Sequence, residues 1–139
     1  MTDAPTAFPT PSDADRCPCG SGDAFGACCS PFLRGIGAPP TAVQTMRSRY
    51  TAYVVGDRAH LLATWHPSTR PAELDLDPAL EWRSLSILRT ERGGPFDADG
   101  VVEFVAAWRE GGDRGRLHET SRFRREGGRW TYVDGDLAR

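Results

Sequence analysis

The fold is decided by residues 101–135, which read VVEFVAAWREGGDRGRLHETSRFRREGGRWTYVDG. This stretch contains three segments rich in Val, Phe, Trp and Tyr, residues that favour β-strands, and glycine pairs at 111–112 and 127–128 separate them. Glycine pairs between such segments predict tight hairpin turns. A similar segment precedes the stretch, so we predict four strands joined by short turns in an antiparallel meander. The predicted strands are Trp82–Arg92, Val101–Arg109, Arg116–Arg125 and Arg129–Asp134.

Two helices are predicted ahead of the sheet. Thr41 can cap the first helix together with Gln44, three residues later, in a capping-box arrangement, and Gly56 suits its C-terminus. Apolar residues at helical spacing predict one buried stripe along it. These residues are Val43, Met46, Tyr50, Tyr53 and Val54. Asp57 can cap a second, shorter helix that contains Trp65 and ends at the following His-Pro pair. Two helices followed by an antiparallel sheet predict an α+β domain with the helices packed on one face.

Four parts are predicted along the chain. Residues 1–16 are acidic and proline-rich and predict a disordered tail, because they cannot bury enough apolar surface to fold. Residues 17–30 hold all four cysteines, and we call them the cysteine knuckle. Residues 31–40 are rich in glycine and proline and predict a linker. Residues 41–139 form the predicted α+β domain.

The composition narrows the class of protein. With 139 residues, 39% of them hydrophobic, the chain has room for one core of ordinary size. The formal net charge of -2 gives no general attraction to nucleic acid or to an anionic membrane. No apolar run approaches the roughly 20 residues that span a bilayer, and the acidic N-terminus is not typical of a secretory signal. We therefore expect a cytoplasmic protein, in which clustered cysteines stay reduced and favour metal binding over disulfides.

The cysteine knuckle carries the most specific motif. Residues 17–29 read CPCGSGDAFGACC, which spaces Cys17, Cys19, Cys28 and Cys29 as C-x-C-x8-C-C. Zinc takes four ligands in a tetrahedron, and four thiolates leave no open position for water, so we predict one structural zinc ion. Phe25 is predicted to cover the site on a short helical turn. The alternatives are four unrelated buried thiols or a disulfide pair, although adjacent cysteines make a poor disulfide.

The knuckle resembles the SEC-C motif of bacterial proteins. The matching features are CPCGSG, Phe25 and the final cysteine pair. The motif usually carries lysines before that pair, where this sequence has Asp23, Ala24 and Gly26. The resemblance therefore does not extend to a basic knuckle surface.

The remaining chain resembles the YchJ-like (UPF0225) family. The matching segments occur in the family's order: MRSRYTAYVVGD (46–57), TWHPSTRP (64–71), VEFVAAW (102–108), LHETSRFRREGGRW (117–130) and YVDG (132–135). With the knuckle ahead of them, the resemblance covers residues 17–135. It implies an NTF2-like fold, in which helices and a curved sheet form a cone with a pocket. It implies no particular reaction.

The third predicted strand points one carboxylate into the cone. Alternation places four side chains on one face: Leu117, Glu119, Ser121 and Phe123. If the apolar members face the interior, Glu119 does too, and a buried carboxylate needs a partner. The candidate partners are Arg70, Arg122 and His66. Glu119 therefore belongs either to a structural ion pair or to a ligand or acid/base site.

A ligand pocket in the cone has seven candidate residues. They are Tyr50, Trp65, His66, Arg70, Trp82, Glu119 and Arg122. The alternative is that the aromatic residues are plain core. No nucleophile–base–orienter set is evident, so no catalytic residue is assigned. Glu119 and His66 are the acid/base candidates if the chain is an enzyme.

Two functions compete at this point. In the first, the chain is a zinc-containing binding or adaptor protein whose knuckle docks a protein partner while the NTF2-like domain serves as a platform, with a homodimer as one expected arrangement. In the second, it is a small-molecule-binding protein or an isomerase/dehydratase-type enzyme. We favour the first, because the metal site is closed. Arg116, Arg122 and Arg124 share one strand face, but all 17 basic residues are arginines, so a solvated face is the simpler interpretation and nucleic acid is not an expected partner.

Overall fold

A computed structural model of the chain describes residues 7–138. Residues 1–6 of the predicted tail and residue 139 of the predicted α+β domain lie outside the described residues. A single 3₁₀ turn at Phe25–Ala27 precedes three helices: α1 (Ser30–Leu33), α2 (Ala42–Val55) and α3 (Arg58–Ala63). Four strands follow: β1 (Leu80–Arg92), β2 (Asp99–Glu110), β3 (Asp113–Glu126) and β4 (Arg129–Leu137).

The four strands form one antiparallel sheet in the order β1-β2-β3-β4, which confirms the predicted meander and the α+β class. Each strand extends beyond its predicted bounds, and at the β2–β3 turn the reason is that the polar residues flanking the apolar segments also pair. Glu110 pairs with Asp113, for example, on either side of the glycine pair at 111–112. Register shifts leave an extra, unpaired residue twice in β1 and once in β4, where Val133 is skipped. Irregularities of this kind bend strands and increase their twist, so they help to curve the sheet.

Helix α2 has the predicted ends. The Thr41 hydroxyl accepts a hydrogen bond from the amide of Gln44 at 3.2 Å, which satisfies one free N–H group of the first turn. The helix stops at Gly56, whose φ of 76° is the left-handed conformation that glycine adopts without a steric cost. The ring of Phe8 packs where a Cβ of residue 56 would stand. Glycine is therefore required at this position for two reasons.

Helix α3 begins as predicted and ends earlier. The Asp57 carboxylate accepts from the amide of His60 at 2.9 Å, but the helix stops at Ala63 and leaves Trp65 outside it. The reason is a competing backbone pairing with β4. The amide of Tyr132 donates to the carbonyl of Thr64, and the amide of residue 66 donates to the carbonyl of Tyr132, both at 2.8 Å. This short parallel bridge holds Trp65 against the sheet.

The core lies between α2 and the concave face of the sheet. Its buried sheet residues are Leu85, Val102, Phe104, Ala106, Phe123 and Trp130. Met46 and Tyr50 of α2 pack against them, as the helical stripe predicted. Polar residues of α2 are buried as well, and one of them links the two helices: the Ser48 hydroxyl lies 2.9 Å from His60 Nε2. Burial lowers the pKa of His60 to about 4, so this contact involves a neutral imidazole at pH 7.

The segment before the knuckle, part of the predicted tail, pairs with it. The amide of Phe25 donates to the carbonyl of Asp15 at 2.7 Å, and the amide of Gly26 donates to the carbonyl of Asp13 at 3.0 Å. Arg16 also forms an isolated antiparallel bridge with Ala24. Residues 13–16 of the predicted tail thus pair with the knuckle through their backbone, a contact that composition cannot reveal. The disorder expected for the tail stays a prediction.

The predicted linker contains a helical turn. Helix α1 occupies its first part, and Leu33 packs against the core. Among residues 7–138, no helix combines the length and the apolar character that crossing a membrane requires.

Candidate functional site

The four cysteines of the knuckle converge on one point. Their sulfurs all lie within 4.8 Å of one another, with 3.6 Å between Cys19 and Cys28 and 4.0 Å between Cys28 and Cys29. The 3₁₀ turn of Phe25–Ala27 brings the last two cysteines back to the first two. The Ser21 hydroxyl lies 3.2 Å from the sulfur of Cys28. The four cysteines are free thiols rather than disulfides, so the disulfide alternative is not what the structure shows.

The spacing fits a tetrahedral metal ion. Four sulfurs that each lie about 2.3 Å from a central zinc ion are about 3.8 Å apart. The two sulfur–sulfur distances of 3.6 and 4.0 Å bracket this value. The alternative of four unrelated thiols predicts no such convergence. The four cysteines could therefore hold one metal ion with a complete set of protein ligands.

The negative charge that the four cysteine sulfurs can carry also favours a bound cation. Hydrogen bonds from Cys17 and Cys29 hold the pKa of Cys19 far below its usual range. Burial raises the pKa of Cys28 to about 11, and hydrogen bonding to Cys17 and Cys19 raises that of Cys29. Like charges this close cannot all form in a half-buried site without a counter-ion. A divalent cation would supply that charge and deprotonate the remaining thiols.

The knuckle is built into the core rather than attached to it. Cys17, Cys19 and Cys29 are buried in the same apolar cluster as Met46 and Tyr50 of α2. The guanidinium of Arg47 donates to the carbonyl of Cys19 at 2.7 Å, and the Thr51 hydroxyl lies 3.8 Å from the sulfur of Cys17. Both side chains come from α2, so one face of this helix holds the cysteine cluster in place.

The opposite side of α2 lines a cavity of about 190 Å³ above the concave face of the sheet, which we call the α2 cavity. Six of its twelve lining residues are aromatic: Tyr50, Tyr53, Trp65, Trp82, Phe104 and Tyr132. Arg49, Glu119 and Ser121 are its polar members. An engineered apolar cavity of about 150 Å³ holds benzene, so this cavity suits a ligand of roughly ten non-hydrogen atoms.

Arg49 is the most unusual residue of the α2 cavity. It is only 3% exposed, and its Nη1 donates to the carbonyl of Leu61 and to the hydroxyl of Thr64, both at 2.8 Å. Its Cζ lies 4.8 Å from the ring centres of both Trp65 and Tyr132, close enough for cation–π attraction. Within residues 7–138, no carboxylate lies within the 4.0 Å of an ion pair with it. Burial lowers the pKa of Arg49 to about 10, which still leaves it charged at pH 7.

Glu119 faces the α2 cavity, as the strand alternation predicted. Its Oε2 accepts hydrogen bonds from the hydroxyls of Ser121 at 2.5 Å and of Tyr132 at 3.3 Å. Gly135 of β4 makes room for it, because a Cβ there would stand 2.5 Å from the same oxygen. Hydroxyl groups therefore hold this carboxylate, and no ion pair to it is present among residues 7–138.

Three of the seven predicted pocket residues lie elsewhere. His66 bonds to Ser68 through Nδ1 and to Glu126 through Nε2, both at 2.7 Å, and does not line the cavity. Arg70 is exposed, and it likewise lies outside the cavity lining. Arg122 follows Ser121 directly, so it points to the opposite face of the sheet. The other four do line the cavity: Tyr50, Trp65, Trp82 and Glu119.

Arg116, Arg122 and Arg124, which share one strand face, lie on that opposite face, and acidic side chains neutralise part of their positive charge. Arg122 donates to Asp134 at 2.6 Å and to Asp136 at 2.8 Å. Its guanidinium is therefore committed to two carboxylates of β4, the next strand of the sheet. Arg116 lies instead in a groove with Arg83, Arg109 and Arg114, at the far end of the sheet.

Sequence reasoning missed Arg49, Ser121 and Tyr132 as parts of this site. Arg49 follows Met46 by three residues and precedes Tyr53 by four, so helical spacing places it on the predicted buried stripe. Its charge argued against that position, because arginine is almost never fully buried unless paired. Ser121 shares the predicted face of Glu119, and only its hydroxyl contact was unforeseen.

Comparison with known proteins agrees with this arrangement. A family model described as "YchJ, middle NTF2-like domain" matches residues 41–135, and a SEC-C motif model matches residues 14–31. The NTF2-like match alone spans more than half of the chain. The chain belongs to the YchJ-like (UPF0225) family. The resemblance predicted from the sequence is thus confirmed, including the SEC-C motif ahead of an NTF2-like domain.

Relatives and solved structures match nearly the whole chain. UPF0225 protein SCO1677 of Streptomyces coelicolor is 50% identical over 130 residues, which cover 94% of this chain and 98% of the relative. The solution structure of RPA3114 from Rhodopseudomonas palustris, a SEC-C motif containing protein, is 31% identical with a TM-score of 0.76, over 88% of this chain and 98% of the other. A crystal structure of a SEC-C motif containing protein from Psychrobacter arcticus shares the fold, with a TM-score of 0.71 at 20% identity over 91% of this chain and 85% of the other.

Proposed function

We propose that this chain is a zinc-stabilised protein that binds a small molecule in the α2 cavity. The observation that supports it is the buried, charged Arg49, which has no carboxylate partner among residues 7–138 although it borders a cavity walled by aromatic rings. Ligand pockets typically combine mostly apolar walls with a few placed polar groups. Arg49 and Glu119 are such groups. The fold alone would not support this function, because one fold serves many functions.

Zinc is the metal that we propose for the knuckle. Four thiolates in a tetrahedral arrangement form the ligand set of structural zinc sites, and they leave no position for a substrate. The ion would tie Cys17 and Cys19 to the chain after Phe25, and through them it would fix the position of α2. Its role in this proposal is therefore mechanical support for the wall of the α2 cavity.

The same cavity contains groups suited to acid/base chemistry. Glu119 is the carboxylate that could accept a proton from a bound molecule, and Arg49 could stabilise negative charge that develops on it. His66, the other acid/base candidate, is not a lining residue of the cavity and bonds to Glu126. An isomerase or dehydratase reaction would therefore depend on Glu119 as its only carboxylate in the cavity lining.

Docking of a protein partner through the knuckle stays a prediction. The cysteines face α2, so a partner would have to recognise the outer loop around Ser21 and Asp23. The predicted homodimer and the predicted cytoplasmic location also stay predictions.

Two adjacent alanines of β2 provide the test of small-molecule binding. Ala106 lines the α2 cavity, whereas Ala107 faces the other side of the sheet. We would record NMR spectra of the zinc-loaded full chain with neutral, cationic and anionic fragments of up to about ten non-hydrogen atoms. At least one class is expected to shift the indole N–H of Trp65 at millimolar concentration. Ala106→Leu fills the cavity and should abolish the shift, while Ala107→Leu should retain it.

Two results would count against small-molecule binding. One is that no fragment class shifts the indole signal of Trp65 in the wild-type chain. The other is that Ala106→Leu and Ala107→Leu behave alike, which would place any bound fragment outside the cavity.

A further inference from the structure

We propose that the ligand of the α2 cavity is a small carboxylate with an apolar body, and that its carboxylate group binds Arg49. This inference rests on the proposed function and specifies its chemistry. It is carried by three features of the cavity: a buried cation with no carboxylate of residues 7–138 within the 4.0 Å of an ion pair, a second buried donor without a partner there, and aromatic walls of limited volume.

The first feature is the charge of Arg49. A buried charge is strongly unfavourable unless it is paired, and Arg49 lies more than 4.0 Å from every carboxylate in residues 7–138. The guanidinium has five N–H groups, and its two bonds to Leu61 and Thr64 use those of Nη1. The N–H groups of Nε and Nη2 make no hydrogen bond of normal geometry to residues 7–138, and Tyr53 is among the neighbouring side chains that raise the pKa of Arg49 against the lowering by burial. Two parallel N–H donors are the arrangement that binds a carboxylate in bidentate fashion.

The second feature is the indole of Trp65. Its Nε1 is the one buried side-chain nitrogen or oxygen of the described residues that has no hydrogen-bond partner. Trp65 lines the same cavity, and its ring stacks under the guanidinium of Arg49. A buried donor left without an acceptor is unfavourable. A carboxylate has only acceptors, so it suits Arg49, and it would reach the fully buried Nε1 of Trp65 after a shift of the indole ring.

The third feature is the wall of the cavity. Beyond Arg49, it consists mainly of aromatic rings, so the rest of the ligand should be apolar. The volume of about 190 Å³ limits the ligand to roughly ten non-hydrogen atoms, about the size of benzoate. Glu119 adds a negative charge to the same cavity, which opposes a second anionic group on the ligand. A monocarboxylate is therefore favoured over a dianion such as a phosphate ester.

Three probes of similar size test this inference: benzoate, its neutral amide benzamide, and the cation benzylammonium. Titrations followed by the NMR signals of the zinc-loaded full chain give the dissociation constants. We expect benzoate to bind at least about tenfold more tightly than benzamide, since hydrogen bonds to charged groups are stronger than neutral ones. Benzylammonium should not bind.

Variants separate the roles of the charged residues. Arg49→Met should remove the preference for benzoate over benzamide. Glu119→Gln removes the opposing charge and should tighten benzoate several-fold while leaving benzamide unchanged. Arg122→Met is the matched control, because Arg122 is an arginine on the outer face of the sheet, and it should change neither constant. If Arg49→Met does not fold, Glu119→Gln still tests whether the cavity binds the carboxylate group.

The outcomes distinguish failure of the inference from failure of the proposed function. If benzamide or benzylammonium binds as well as benzoate, and Ala106→Leu abolishes that binding, the cavity binds small molecules but the carboxylate assignment is wrong. Weaker benzoate binding by Glu119→Gln would also overturn it. If no probe and no fragment binds in the cavity, both proposals fail.

Discussion

Replacing Cys29 by serine is expected to release the metal and to lower the free energy of unfolding of the whole chain by about 4 kcal/mol or more. The reason is the position of Cys29, which is 2% exposed and belongs to the same apolar cluster as Met46 and Tyr50 of α2. Loss of the metal would leave the remaining thiols crowded in the core and would free the knuckle from α2. For a chain of this size the melting temperature should fall by on the order of 10 °C.

Ala27→Ser is the matched control for Cys29→Ser. It places a serine in the same turn, at an exposed position that provides no ligand. The control should keep one zinc ion per chain by elemental analysis and melt within about 2 °C of the wild type. A Cys29→Ser chain that lacks metal yet melts like the wild type would show that the knuckle is an appendage with no part in the core.

Replacing Arg49 by methionine is expected to abolish carboxylate binding while changing the free energy of unfolding by no more than about 1 kcal/mol. A buried charge without a counter-ion contributes little to stability, and a long apolar side chain can fill its space between Trp65 and Tyr132. The Thr64 hydroxyl donates to the carbonyl of His60 at 2.7 Å and lies 3.3 Å from that of Leu61, so it offers the Leu61 carbonyl only a shared, longer contact once Arg49 is replaced. A residue that affects binding strongly and stability weakly has a functional rather than a structural role.

Leu61→Ala provides the structural reference for Arg49→Met. Leu61 is fully buried beside Arg49, and truncating such a side chain typically costs about 2–5 kcal/mol. Urea unfolding of the three chains, followed by circular dichroism, gives the comparison. If Arg49→Met loses about 3–5 kcal/mol, as removal of one partner from a buried ion pair does, Arg49 is a structural element of the core.

Much of the fold could be predicted from local sequence. Glycine pairs separate the strands, Thr41 and Asp57 cap two helices through their own side chains, and Gly56 ends α2. These signals act over a few residues, so one sequence is enough to reveal them. The cysteine cluster belongs to the same class, because all four cysteines of the chain fall within 13 residues and chance rarely groups them so closely.

The features that could not be predicted depend on distant partners. Trp65 leaves α3 because the backbone around it pairs with Tyr132, 67 positions later in the chain. Residues 13–16 pair with the knuckle through backbone bonds. Arg49 is buried against two aromatic rings, one of which comes from the last strand. In each case, the structure depends on a tertiary contact that local propensity does not reveal.

Helix α2 joins the metal centre to the cavity, and one NMR experiment tests that link. Spectra of the same zinc-loaded sample would be recorded before and after removal of the metal with a strong chelator, and again after adding one equivalent of zinc. We expect chelation to broaden or shift the amides of residues 46–53 and the indole N–H of Trp65, reversibly, while the β2–β3 pairing persists. Changes confined to the knuckle and its flanking residues, 13–31, would contradict the link and leave the metal with no part in supporting the cavity.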